Sequence, residues 1–372
     1  MLRWKTICWA SFTTACMQRT PEKLLGLASA YAERQIFHHF ANGHYPDAGI
    51  FIFSDKCLRK NPINDSQLDK YCKDKISALQ EMANPTFRDA IKSHLSSIDA
   101  SISKMLKIDI KATDIVTKFF DAYGTKHIHA SAMLLMAQAL GEISTKQIIF
   151  TQAIELAHFG SSIHSKIMDT STEASWLHMF LGDNGMILGG DYMISNASIQ
   201  CCRINSLPLI QLLCLIIQNI SKGSILSLKG ETVSQALINY CALCFYKTAS
   251  IMANGCQGIA YLGNSDMKRS YDYGKHLGMA LGVVGDIKDY LNGKIRYNSF
   301  PVLFAAGAHT NISELIENKQ ENLVKELVAD ANGVGWAKKL AIHHIEAAIE
   351  TAKLFEDPKD LVSLTASIAN SL

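Results

Sequence analysis

Asp286 and Asp289 stand three positions apart with Lys288 between them, a spacing that puts both carboxylates on one face of a helix. Two such groups could hold one divalent ion weakly, since Mg2+ takes oxygen ligands in octahedral geometry. A second stretch, Ser165-Lys166-Ile167-Met168-Asp169, offers one carboxylate and one ammonium. Lys166 would repel a divalent ion there by about 2 kcal/mol at ~4 Å, even in bulk water. The other candidates suit anions. Lys126 lies in Gly124-Thr-Lys-His-Ile-His-Ala130, and Lys247 with Thr248 in Tyr246-Lys-Thr-Ala-Ser250. An ammonium is a point charge that fits phosphate, yet a lysine snorkelling from a core helix has the same appearance. A histidine near its ordinary pKa of about 6.5 is mostly neutral at pH 7 and binds anions weakly. His127 and His129 therefore read equally as surface or interface residues, and His158 as a core histidine.

Helices must position these groups. From Phe87 onward, apolar residues recur at helical spacing between short polar breaks. The spacing predicts helices over 85–107, 112–123, 130–140, 145–168, 185–202, 207–220, 234–261, 265–291, 312–317, 321–332, 333–356 and 358–370. Upstream, Thr20-Pro21 offers an N-cap and a first-turn proline for a helix to about Phe40. Asn42-Gly43 and Pro46 end it, Gly49 to Ser54 suits a short strand or extended loop, and Asn61 to Asp65 and Asn84-Pro85 read as turns. No useful strand alternation and no fixed repeat follow. The expected fold class is all-α: a helical bundle over 85–372 in one domain, behind an irregular or helical segment over 21–84.

Hydrophobic content of 48% is ample for a large core, and a formal charge of +2 implies neither nucleic acid nor a membrane surface as partner. Ten scattered cysteines suit free thiols in a reducing compartment, and the one C-x-x-C pair, Cys241 and Cys244, has no second pair near it for zinc. The longest apolar run, 207–217, is shorter than the ~20 residues of a spanning helix and reads as a buried helix, so no transmembrane helix is expected. Residues 1–20 carry Arg3, Lys5 and Arg19, with no acid before Glu22. That composition suits a mitochondrial presequence.

From about Tyr123 to the C-terminus, six ordered landmarks resemble the trans-polyprenyl diphosphate synthases. Gly124 to Ala130 resembles G-K-x-x-R-P, whose lysine and arginine bind isopentenyl diphosphate in that family. Lys126 is kept, His129 takes the arginine position and Ala130 the proline position. Glu155-Leu-Ala-His158 follows, with a histidine that contacts the same diphosphate in the family. The family's first aspartate cluster, D-D-x-x-D, reads Ser165-Lys166-Ile-Met-Asp169, and the Arg-Arg-Gly tract that should follow is missing. Gly185 to Ala197 matches a largely structural helix near the family's subunit interface. Tyr246 to Ser250 matches K-T-[AG]-x-L, whose lysine reaches diphosphate. Tyr273 to Tyr290 matches the second aspartate helix, with Leu281-Gly282 for Phe-Gln and Gly285 for the first aspartate, leaving Asp286 and Asp289. After it, Gly293 to Leu303 looks like a shortened loop.

The resemblance implies an isoprenoid-synthase-type bundle with a vestigial diphosphate pocket (Lys126, His129, His158, Lys247, Thr248) and vestigial metal ligands (Asp169, Asp286, Asp289). The degenerate positions are Ser165, Lys166 and Gly285. Within the family it is similar to the non-catalytic subunits of heteromeric decaprenyl and solanesyl diphosphate synthases. That implies a mitochondrial role in making the ubiquinone side chain, a catalytic partner subunit that holds the Mg2+, and assembly as a heterodimer or heterotetramer. Two other readings stay open: a scaffold in a larger mitochondrial complex, docking through 42–85, and an active transferase or terpene synthase using the three aspartates with unusual metal geometry. Lys166 is expected to pair with Asp286 or Asp289 in place of the ion.

Overall fold

The computed structural model describes residues 65–106, 127–167, 172–226, 233–309 and 311–372. The expected presequence, the 20–40 and 112–123 helices, the 49–54 strand or loop, Lys126 and Asp169 lie outside them. Among the described residues there are fourteen α-helices and no strand. They are α1 Asp65–Met82, α2 Lys92–Leu106, α3 Ile128–Ala139, α4 Thr145–Lys166, α5 Thr172–Arg203, α6 Leu207–Ile225, α7 Val233–Cys244, α8 Ser250–Leu262, α9 Met267–Leu291, α10 Phe300–Ala305, α11 Ile312–Glu317, α12 Glu321–Asp330, α13 Gly333–Ala352 and α14 Lys359–Ser367. The described residues fall into two compact units in alternating segments: 72–106, 127–167, 172–226, 243–288 and 341–372 form the larger, and 65–71, 233–242, 289–309 and 311–340 the smaller.

In the larger unit, α3, α4 and α8 are buried on most sides. Ser144 and Gln147 form a reciprocal capping box that starts α4. At the α4–α5 crossing a Cβ on Gly160 would sit 2.7 Å from the Gly190 carbonyl oxygen, so only glycine lets the two backbones meet. Along α9, Gly274, Gly278 and Gly282 recur every fourth residue. A Cβ there would run into the Met252 carbonyl, the Ala249 Cα and the Cys244 Sγ respectively. Tyr273, fully buried, bonds to the Leu361 carbonyl at 3.3 Å and lies 3.1 Å from the Thr365 hydroxyl, tying α9 to α14.

The smaller unit has its own core of Tyr290, Val302, Ala305, Ile312, Val324 and Val328. Aromatic pairs extend it: Tyr240 with Phe300 at 5.2 Å, and Phe304 stacked on Trp336 at 5.4 Å.

Several elements differ from the sequence expectation, among them α5, which starts at Thr172 rather than near Gly185. Helix α1 falls inside the segment 21–84, read as irregular or helical, where no helix bounds were given; its buried Leu68, Cys72 and Leu79 keep helical spacing, but polar residues dilute the signal. The expected 234–261 helix is interrupted by a π-helical turn, Phe245–Ala249. Helix α10 starts inside the expected loop, with Pro301 in its first turn. The α6 helix runs to Ile225 and is not a buried helix. It buries one stripe, Leu209, Leu213, Ile216, Asn219 and Gly223, and exposes much of the rest. By length and composition alone it is apolar enough to cross a membrane, and it is the one such helix among the described residues. The described cysteines are free, and burial pushes the Cys241 thiol up to about 12.

The α9 stripe generates a stability prediction. Gly278→Ala should destabilise by about 1–3 kcal/mol, the cost of overpacking a filled contact. Gly285→Ala on the same helix meets nothing within 4 Å and should stabilise by up to about 1 kcal/mol through helix propensity. Thermal denaturation of both variants checks this; equal shifts would refute the assigned packing.

Candidate functional site

Glu155 organises the first landmark. It lies on α4 between apolar neighbours and is 1% exposed. Its Oε1 accepts the backbone N–H of Ala130 at 2.6 Å, satisfying one of the donors left open in the first turn of α3. Proline at this position would have no such N–H; alanine has one, and the carboxylate takes it. The other Glu155 oxygen lies 3.8 Å from His127 Nδ1, and His127 Nε2 is 3.0 Å from Asp99 on α2. His127 itself precedes α3 in a left-handed conformation, φ 34°. Burial alone would push this imidazole down, but Asp99 and Glu155 outweigh it and raise it to about 9. His127 is therefore an imidazolium at neutral pH, held between two carboxylates.

His129 and His158 meet directly, ring centroids 4.1 Å apart. Burial pushes both below the ordinary histidine range, His129 well below it with His158 adding to the effect. Both rings are neutral and offer N–H dipoles rather than charge. His127 and His129 are not surface residues: both side chains are about nine-tenths buried or more. His158 is half-buried.

At the end of α4, the Ser165 hydroxyl donates to its own helix at the Ser162 carbonyl, 2.7 Å away. The Lys166 carbonyl lies 3.0 Å from His178 Nε2, and His178 Nδ1 is 3.0 Å from Asp183. Between those partners α5 breaks at Gly182, φ 61° and ψ 172°. Where the family places its arginine tract, this chain has a helical segment clamped to α4 by one histidine.

Lys247 and Thr248 lie on the π-helical turn. The Lys247 stem covers Gly223 of α6, where a Cβ would come within 2.7 Å of its Cγ, and the residue is exposed beyond that. The Thr248 hydroxyl faces Gly282 of α9, 3.5 Å from where a Cβ would be. Gly285 opens on free space, and Asp286 beside it is half-buried. Asp289 takes its cations from the loop that follows it, Arg296 and, at 3.9 Å, Lys294. Asp289 thus has two cationic partners close to it in sequence.

Of the expected site residues, the structure brings His129 and His158 together and gives Asp289 cationic partners. Asp99, Glu155, His127 and His178 were not read as site residues. The legible signal for the first three was Glu155 itself, a carboxylate inside an apolar helical stretch. Among the described metal-motif positions, Ser165 is bonded to its own helix, Lys166 has the wrong sign for a cation ligand, Gly285 has no side chain to offer, and Asp289 lies beside Arg296 and Lys294, which leaves Asp286 as the other described carboxylate. Among the described residues no group of three or more His, Cys, Asp or Glu side chains is arranged to hold a metal.

The helical bundle and the ordered landmarks define a class, the isoprenyl diphosphate synthase fold. The chain belongs to the polyprenyl synthetase family, whose sequence profile matches residues 112–327. It is 24% identical over 291 residues to a prenyl transferase of Cyanidium caldarium, covering 71% of this chain and 90% of that one. It is 22% identical over 336 residues to the mitochondrial solanesyl-diphosphate synthase 1 of Oryza sativa subsp. japonica, covering 79% and 78%. In structure it is similar to the polyprenyl synthase of Caulobacter crescentus CB15 complexed with calcium and isoprenyl diphosphate. That match has a TM-score of 0.67 at 19% identity over 77% of this chain and 97% of that one.

The His127 cluster sets a pH dependence. Its folded pKa of about 9 exceeds the unfolded value of about 6.5, so its stabilisation is complete below pH ~6.5 and is lost as pH rises through ~9. The melting temperature of the native chain should fall across that window, and His127→Gln should flatten the fall. Parallel curves for the two proteins would show that the cluster is not charged as described.

Proposed function

We propose that this chain is a non-catalytic subunit of a heteromeric trans-polyprenyl diphosphate synthase. It assembles with a catalytic subunit that holds the Mg2+, as a heterodimer or heterotetramer, and supports dimer assembly and product-length control. The similarity to the mitochondrial rice synthase and the basic, acid-free first twenty residues support a mitochondrial role, in building the ubiquinone side chain.

The observation that carries the reading is how the site's charges are spent. An allylic diphosphate ionises only where metal and cations neutralise its developing charge. Here His127 is paired with two carboxylates, His129 and His158 are neutral, and Asp289 is paired with Arg296. Lys166 and Gly285 replace carboxylates with a cation and a hydrogen. The packing that forms the bundle is kept, including the Gly160–Gly190 crossing next to the Gly-Asp pair of the fourth landmark. A family fold does not by itself carry the family's chemistry; these side chains support a binding and shaping role.

The test is an elongation assay with Mg2+, allylic primer and isopentenyl diphosphate. The chain alone should give no product above background. Co-expressed with a catalytic polyprenyl diphosphate synthase, it should co-purify and change the yield or length of the product. Turnover by the chain alone would refute the proposal. Failure to alter the partner's product, with co-purification in another complex, would favour a scaffold.

A further inference from the structure

We infer that the loop after α9 is a tethered counter-ion that stands on Asp289 in place of a divalent metal, and that the second carboxylate motif persists as an anchor for this loop. The backbone builds it first. The Gly293 N–H bonds to the Tyr290 carbonyl at 3.0 Å and the Lys294 N–H to the Asp289 carbonyl at 2.8 Å. With Gly293 at φ 84°, this is the paired 5→2 and 6→1 bonding that closes a helix through a left-handed residue. The reversal turns the chain back along the last turn of α9. Arg296 then reaches the Asp289 carboxylate, with Lys294 Nζ 3.9 Å from its other oxygen. The two side chains bring two positive charges, the charge of one divalent ion, to the open carbonyl end of a helix, where cations are favoured. The Arg296 carbonyl in turn accepts from the Ser299 N–H at 3.0 Å and its hydroxyl at 2.8 Å. Ser299 is the residue from which α10 starts. Asp289 thus holds the segment that leads into the smaller unit's core helix, a use for the carboxylate that needs no metal.

The inference is independent of whether the chain pairs with a catalytic subunit, and its test reads no activity. Asp289→Asn, Arg296→Gln and the double variant of the full chain are melted with EDTA and with millimolar Mg2+. Each single change should lower the melting temperature by a few degrees, the double change by little more than either one, and Mg2+ should shift none of the four proteins. Non-additivity is the signature of a direct partner. Additive shifts would overturn the inference. So would a Mg2+-dependent rise in the native chain that Asp289→Asn removes, since Asp289 would then be a metal ligand despite the loop. Asp289→Asn is isosteric, Arg296→Gln keeps a polar side chain without the charge, and both lie at partly exposed positions. Mn2+ titration of the unaltered chain and of Asp289→Asn, followed by electron paramagnetic resonance, supplies a second readout: binding lost in the variant would also overturn it.

Discussion

Backbone contact between helices is the constraint on which the larger unit rests. Gly160 and Gly190 remove two side chains so that α4 and α5 touch main chain to main chain, and Gly274, Gly278 and Gly282 do the same for α9 against α8 and the π-helical turn. Interiors pack near the density of organic crystals, so such contacts cannot absorb an added methyl without displacement. They also set where the side chains of the site can be. Thr248 faces Gly282 because that glycine lets the π-helical turn approach α9, and His164 lies over Gly190 for the same reason at the other crossing.

Within that frame, the ionisable groups of the first landmark are settled by burial and pairing. A buried charge must be paired or neutralised. The structure follows both routes a short distance apart: His127 is charged between Asp99 and Glu155, while His129 and His158 are held neutral. The cation that an arginine would offer to a diphosphate as a planar fork is absent from the His129 position, and the nearby imidazolium is engaged by carboxylates. The α4 end is closed in the same way, with Ser165 bonded to its own helix and His178 bridging Lys166 and Asp183.

Much of the fold was legible. The long periodic segments became helices within a few residues of their expected ends, as with α3, α4, α9 and α11, because a helix with one apolar face announces itself at 3.6-residue spacing. Helix α1 escaped because its buried positions are few and widely spaced among charged residues. The π-helical turn escaped because no residue type marks it. The exposed half of α6 escaped because composition does not tell which side of an apolar helix is covered.

The degenerate positions Ser165, Lys166 and Gly285 were determined by the sequence alone, since a missing carboxylate needs no coordinates to be seen. So were the family and the all-α class, which rest on local periodicity and on ordered motifs. Only the tertiary structure decided which charges are free to act. Glu155 reaches Ala130 and His127 across 25 and 28 residues of chain, and His158 meets His129 from another helix. The electrostatic state of a group depends on neighbours brought from elsewhere in the chain and on its burial, and neither is written in the local sequence.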